Sequence, residues 1–236
     1  MSARAAGAPK AAARKPATRL NINPGRFAFL ANFASTEDTR FYLNGVYIEP
    51  HPAGGVVMVA TDGHVMGVAH DPDGSCDAPA IISTQRKPAA IFLPPAPIRD
   101  RCRLEIARLT ASQLGGDRYL ATRTGPTPKA GAAVGIVEVI DGVFPPWRGV
   151  VPWALMADPT PGLAGAFNGQ LLSRFAAPYA RCDAALELRQ RAAGDAALVI
   201  RDEMPWFVGV IMPMHRSGGL GAGILALAPK REEAAA

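Results

Sequence analysis

Cysteine is scarce in this 236-residue chain: Cys76, Cys102 and Cys182 are odd in number and far apart. They form neither a disulfide framework nor a CxxC metal pair, which fits a reducing cytoplasm. No apolar run reaches the ~18 residues of a membrane-spanning helix, so no membrane span is expected. The chain also lacks a GxSxG elbow, an HExxH helix, a P-loop, and a GxGxxG turn followed by a suitable acid. His51, His70 and His215 have no metal-ligand spacing with any cysteine, and no cofactor or metal is expected. Charged residues make up only 19% and aromatics 7%, while 49% are hydrophobic. That is ample for a buried core and too apolar for a disordered chain. Gly 24 and Pro 22 predict many turns without any collagen-like period.

The formal charge of +5 is not spread evenly. Residues 1–19 carry Arg4, Lys10, Arg14, Lys15 and Arg19 and no acid. The remainder is balanced, with 20 basic and 20 acidic residues. The basic character is therefore a property of an Ala-rich tail broken by Gly7, Pro9 and Pro16, which reads as disordered. The tail lacks the uninterrupted apolar segment of a secretory signal. Three readings stand for it: a solvated tail, an arm making a few screened phosphate contacts, or, on composition and more weakly, a transit peptide.

Periodicity divides residues 20–216 into three similar units of one helix and several strands. In the first, Phe27, Leu30, Ala31 and Ala34 share one helical face over 22–36, with Asn23 as N-cap and Pro24 at the first helical position. Strands are expected at 41–49, 55–60 and 65–69, the last two joined by an Asp62-Gly63 turn. Residues 71–79 read as a loop. In the second unit, strands are expected at 80–83 and 90–93, a short helix after the prolines near 98–102, and strands at 104–109, 119–124 and 135–140. Residues 143–162, with five prolines, read as irregular. The third unit has a strand at 163–167, a helix at 170–179, and strands at 185–189, 197–201 and 206–212. No local sequence repeat accompanies the layout, so the repetition is architectural.

Some residues invite a chemical reading. Asp62 beside His64 is an acid–base pair in principle, although an Asp-Gly turn followed by a surface histidine explains both. Asp71 and Asp73 read as a solvated turn. Arg99, Arg101 and Arg103 after Pro94-Pro95 read equally as a solvated polar face or as a nucleic-acid contact.

Four motifs in order carry a family resemblance: Arg40-Phe-Tyr-Leu-Asn-Gly45, Val59-Ala-Thr-Asp-Gly-His64, Asp141-Gly-Val-Phe-Pro-Pro-Trp147 with Val150-Val-Pro152, and Val210-Ile-Met-Pro-Met214. Together they resemble the bacterial replicative sliding clamp, the β subunit of DNA polymerase III. The resemblance implies an α+β, DNA-clamp-like fold of three βαβββ-type half-domains, with helices on one side of curved antiparallel sheets. It divides the chain into a tail at 1–19, a part like the clamp's middle domain at 20–152, half of a C-terminal domain at 153–216, and a tail at 217–236. Nothing resembles the N-terminal domain. If twelve half-domains close a ring, four chains supply them, so a homo-oligomer is among the implied states.

A clamp is not an enzyme; it holds a polymerase near its template through topology and effective concentration. The resemblance implies weak, non-specific contact with double-stranded DNA by Arg26, Arg99, Arg101, Arg103, Arg174 and Arg181. It also implies an apolar cleft that docks linear motifs of a replicative polymerase or other clamp-binding proteins. Carried over by position, the cleft takes Arg40, Leu43, Thr61, Gly63, His64, Val65 and Met66 from the first unit. Pro145, Val150, Val210, Ile211, Met212, Pro213 and Met214 complete it. Met and branched aliphatics suit an adaptable groove. Where the family has Arg-Leu after Gly-His this chain has Val65-Met66, its Asp is Pro146, and two of its arginines are Gly149 and His215. The implied cleft is therefore less positive and more apolar, and residues 217–236 offer Leu220, Ile224, Leu225 and Leu227 to fold over it. Two further readings are kept: a clamp-derived decoy that binds clamp partners without encircling DNA, and an unrelated hydrolase using Asp62 and His64.

Overall fold

The computed structural model describes residues 19–85, 102–108, 118–127, 132–157, 165–176, 186–192 and 194–214. Residues 1–18 of the first tail, the whole of the second, the strand expected at 90–93 and most of the helix expected at 98–102 lie outside the described residues, as do Arg99, Arg101 and Arg181; Arg19, expected in the tail, instead opens a strand. The first unit comprises β1 (Arg19–Ile22), α1 (Pro24–Leu30), β2 (Gly45–Pro50), β3 (Val56–Thr61), β4 (Val65–Asp71) and the short β5 (Ser75–Cys76). The second has β6 (Ala80–Ser83), β7 (Arg103–Arg108), β8 (Arg118–Thr124) and β9 (Ala133–Glu138). After a one-turn helix, α2 (Ala154–Ala157), the third has α3 (Gly169–Ala176), β10 (Glu187–Arg189), β11 (Ala197–Ile200) and β12 (Phe207–Ile211).

Local chemistry accounts for the start of α1. The Asn23 side chain accepts from the backbone N–H groups of Gly25 and Arg26 at 2.9 and 3.0 Å, and Pro24 occupies the first helical position. Three expectations need correction. Residues 38–43 form 3-10 turns rather than the first half of a strand. Ser35 N–H reaches Leu43 O at 3.0 Å and Asn44 Nδ2 reaches Glu37 O at 3.1 Å, so local bonds outweigh the β propensity of Phe41 and Tyr42. Residues 75–76, read as loop, pair with β1. Of the strand expected at 163–167, residues 165–167 are described and hold one bridge, Ala166 to Met214.

Two antiparallel sheets result, with orders β5-β1-β7-β8-β9 and β10-β11-β12-β4-β3-β2-β6. Each of the first two units lends its opening strand to the other: β1 pairs with β7, and β6 pairs with β2. The third unit joins through β12, which lies antiparallel to β4 with Val210 opposite Met66 and Ile211 opposite Val65. The seven-stranded sheet is buried on both faces, and successive residues alternate between them. Val56, Met58, Ala60, Val65, Ala69 and Ile211 belong to a large inner core with Phe27, Phe29, Leu30, Phe33 and Phe175 from the helical segments. Val57, Val59, Met66, Val68, Leu198 and Val210 face the other way. There they meet Phe144, Trp147, Val151 and Leu155, so residues 141–157 run as a strap across the outer face. Two glycines fit the helices to this sheet. Gly67 and Gly209 sit opposite each other in β4 and β12, on the inner face. A Cβ on Gly209 would lie 2.3 Å from Phe175 Cε1, and one on Gly67 would lie 2.8 Å from Leu30 Cδ2.

Candidate peptide-docking site

The β3–β4 hairpin is locked by its own side chains. Asp62 Oδ1 accepts from the backbone N–H of His64 and Val65 at 2.8 and 3.0 Å. The Thr61 hydroxyl donates to Val65 O at 2.8 Å and accepts from Gly63 N–H at 3.0 Å. Gly63 takes φ +94°, the left-handed region where glycine carries no penalty. Asp62 Oδ2 pairs with Arg174 Nη1 at 2.5 Å, which ties the hairpin to α3 of the third unit. The Asp62 carboxylate thus holds the turn by its backbone and anchors a helix; its geometry is that of a turn residue, which answers the acid–base reading of Asp62 with His64. Cys76 offers no nucleophile at neutral pH either, because burial, then Asp77 and Glu49, push its thiol up to about 11.

The structure brings the two halves of the expected cleft together. Met212 N–H donates to His64 O at 2.9 Å, just beyond the β4–β12 pairing. The position a Cβ would take on Gly63 lies 2.8 Å from Arg40 Nη1, so the guanidinium rests against the turn. Arg40 is held there by Glu37, at 2.8 Å. Met212 and Met214 are 40% and 51% exposed, and Val150 on the strap is 51% exposed. Pro213, Pro145 and Thr61 are half-buried, and His64 is exposed.

Two residues of the expected lining need correction. Val65 and Ile211 point into the inner core, because strand alternation sends them to the face opposite Met66 and Val210. Leu43, Met66 and Val210 face outward but are buried in the cluster beneath the strap. They form a floor, and the exposed rim belongs to His64, Val150, Met212 and Met214. Sequence reasoning missed Trp153, which is 45% exposed and donates from Nε1 to Arg148 O at 2.8 Å, adding an apolar surface on the strap. Its place in a proline-rich stretch gave no periodic signal.

The arginines assigned to DNA are also corrected in part. Arg103 opens β7 instead of lying on a helix. Its guanidinium contacts Asn21 Oδ1 at 2.9 Å, Asp71 at 3.1 Å, and the carbonyl of Asp73 at 3.1 Å. Arg26 bonds His70 O, lies 3.8 Å from Asp71, and stacks 5.0 Å above the Trp206 ring. Arg174 is spent on Asp62. Each charge is compensated within the chain, which lowers what it contributes to a phosphate contact.

Two paired units exchange their opening strands around one core and a third unit extends one sheet, which is a DNA-clamp-like fold. Over part of its length the chain is similar to the bacterial DNA polymerase III β subunit, the sliding clamp. No family model matches it. It is 33% identical over 139 residues to the β sliding clamp of Caulobacter vibrioides, a match covering 56% of this chain and 31% of the relative. Among solved structures, the Caulobacter crescentus β clamp superposes with TM-score 0.56 at 18% identity, covering 84% of this chain and 65% of that one. The Pseudomonas aeruginosa clamp superposes with TM-score 0.54 at 15% identity, covering 86% and 68%. The Thermotoga maritima β subunit gives TM-score 0.53 at 11% identity, covering 89% and 68%. The sequence match thus spans about a third of its curated relative. Among the described residues no helix is long and apolar enough to cross a membrane.

Proposed function

We propose that this protein is a non-catalytic, sliding-clamp-like accessory of DNA replication that docks linear peptide motifs in the slot between the β3–β4 hairpin and the segment after β12. The observation that carries the reading is the bond from Met212 N–H to His64 O, which seats exposed methionines beside the hairpin. Similarity to the β clamp of Caulobacter vibrioides supports it. So does the Caulobacter crescentus structure, whose clamp holds a polyethylene glycol at its β-motif tethering region. The partner is a replicative polymerase or another protein bearing a clamp-binding motif. The rim of His64, Val150, Met212 and Met214 is mainly apolar, and the nearby Arg40 is paired with Glu37, so it favours peptides richer in apolar side chains than in acids.

Fluorescence anisotropy with a labelled peptide carrying a polymerase's hydrophobic clamp-binding motif tests this directly. Saturable binding is expected, and Met212→Glu is expected to weaken it at least about tenfold, as for a central anchor of an interface. Absence of saturable binding to the wild-type chain overturns the reading.

Internal pairing of Arg26, Arg103 and Arg174 favours a second reading, in which the protein binds clamp partners as a decoy and leaves DNA alone. Retention on circular plasmid together with loss from linearised plasmid supports encirclement; equal behaviour on both supports the decoy. In the first reading the protein encircles double-stranded DNA as a homo-oligomer, with weak non-specific phosphate contacts.

A further inference from the structure

Both lips of the slot are tied to one helix. On the side after β12, Met214 donates its N–H to Ala166 O at 2.8 Å, just ahead of Asn168 and α3. On the hairpin side, Asp62 Oδ2 takes Arg174 Nη1 of the same helix at 2.5 Å. Between these ties Met212 N–H meets His64 O at 2.9 Å. The helix therefore connects the two lips, His64 on one and Met212 with Met214 on the other.

α3 is a firm mount. At its start Asn168 Oδ1 accepts from Gln170 N–H at 2.9 Å. Phe175, next to Arg174, is fully buried, its ring centroid 4.9 Å from Phe33 and 6.4 Å from Phe207. The carbonyl of Phe175 accepts from Nη1 of the buried Arg201 at 2.6 Å.

The turn itself has local bonds enough without Arg174. The Thr61 hydroxyl and Asp62 Oδ1 satisfy the N–H groups of Gly63, His64 and Val65, and Gly63 supplies the left-handed φ. Asp62 Oδ2 goes instead to a residue 112 positions away. What that ion pair adds is the place of the hairpin relative to the third unit. The pair is partly desolvated, with the Arg174 side chain 33% and that of Asp62 11% exposed, so water and salt screen it less than a fully exposed pair.

We infer that Arg174 is a positioning residue for peptide docking: through Asp62 it fixes the His64 lip against the methionine lip, and its charge serves the slot rather than a phosphate. The inference rests on the docking reading above. A lip fixed in advance loses less conformational freedom when a peptide docks, so cutting the tie lowers affinity without removing a group from the rim.

The test is anisotropy with the same labelled clamp-motif peptide on the wild type, Arg174→Met, Arg174→Lys, Asp62→Asn and the double variant Asp62→Asn with Arg174→Met. Urea midpoints show that each is folded. Arg174→Met keeps the aliphatic stem, drops the charge, and is expected to weaken binding about fivefold. Arg174→Lys keeps the charge and is expected to restore most of the affinity. Asp62→Asn is expected to match Arg174→Met, with the double variant no weaker than either, because all three cut one bond. Hydrogen exchange gives a readout that needs no peptide: the Met212 amide is expected to exchange faster in Arg174→Met. Unchanged affinity or unchanged Met212 exchange in Arg174→Met overturns the inference. Additive losses in the double variant overturn it equally, since Arg174 would then act apart from Asp62. A wild type that binds no peptide overturns the docking reading, and the inference with it. If Arg174→Met fails to fold, Arg174→Lys and Asp62→Asn decide, and equal affinities of those two overturn the inference.

Discussion

Replacing Asp71 by alanine is expected to lower the unfolding free energy by about 3–5 kcal/mol, the range for removing one partner of a buried ion pair. The side chain ends β4 and is almost wholly buried, at 1% exposure. One carboxylate accepts the Asn23 N–H at 2.7 Å and both ends of the Arg103 guanidinium at 3.1 Å, with Arg26 at 3.8 Å. It therefore clamps three pieces of chain: the start of α1, the end of β4, and the start of β7. Alanine strands an inward-pointing N–H and leaves two guanidinium groups uncompensated. Glu37→Ala, which removes the exposed partner of Arg40, is expected to cost at most about 1 kcal/mol. Urea denaturation of the two variants measures the contrast. A loss below about 1 kcal/mol for Asp71→Ala would show that the cluster is solvated and dispensable.

Gly209→Ala is the second large effect, expected to cost about 1–3 kcal/mol through overpacking. The new methyl meets the Phe175 ring at 2.3 and 2.8 Å. That ring cannot retreat easily: it is fully buried, its centroid 4.9 Å from Phe33 and 6.4 Å from Phe207. Displacing Phe175 displaces α3, whose Arg174 holds Asp62 and so the hairpin. The same change at Gly169, where nothing lies within 4 Å, is expected to be neutral or stabilising by a few tenths of a kcal/mol. Combining Gly209→Ala with Phe175→Leu gives the discriminating cycle. The double variant is expected to be more stable than the sum of the two single losses requires, since the smaller side chain makes room for the methyl. Strict additivity would mean that the strain arises elsewhere.

Much of the secondary structure was legible because its causes are local. Asn23-Pro24 announces a helix start, and the Asp62-Gly63 turn joins two mostly apolar runs. Those runs, 56–61 and 65–71, are strands buried on both faces, so period-two alternation was never available there and composition had to carry the assignment. The four motifs pointed to the clamp family and put 61–66 and 210–214 in one site. They did not say which side chains of those strands face it. That depends on register, and Val65 and Ile211 fall on the inner face while Met66 and Val210 fall on the outer one.

The sequence by itself determined where most strands and helices lie, that the excess positive charge belongs to the tail, and which family the motifs resemble. Tertiary structure alone decided that β12 joins β4, that units one and two trade strands, and that Arg26, Arg103 and Arg174 answer to carboxylates rather than to open solvent. Those carboxylates are remote in sequence, Asp62 lying 112 residues from Arg174. Propensity, capping and turn chemistry act within a few residues. Strand exchange and ion pairing across such distances are fixed only when one shared core closes the long loops between them.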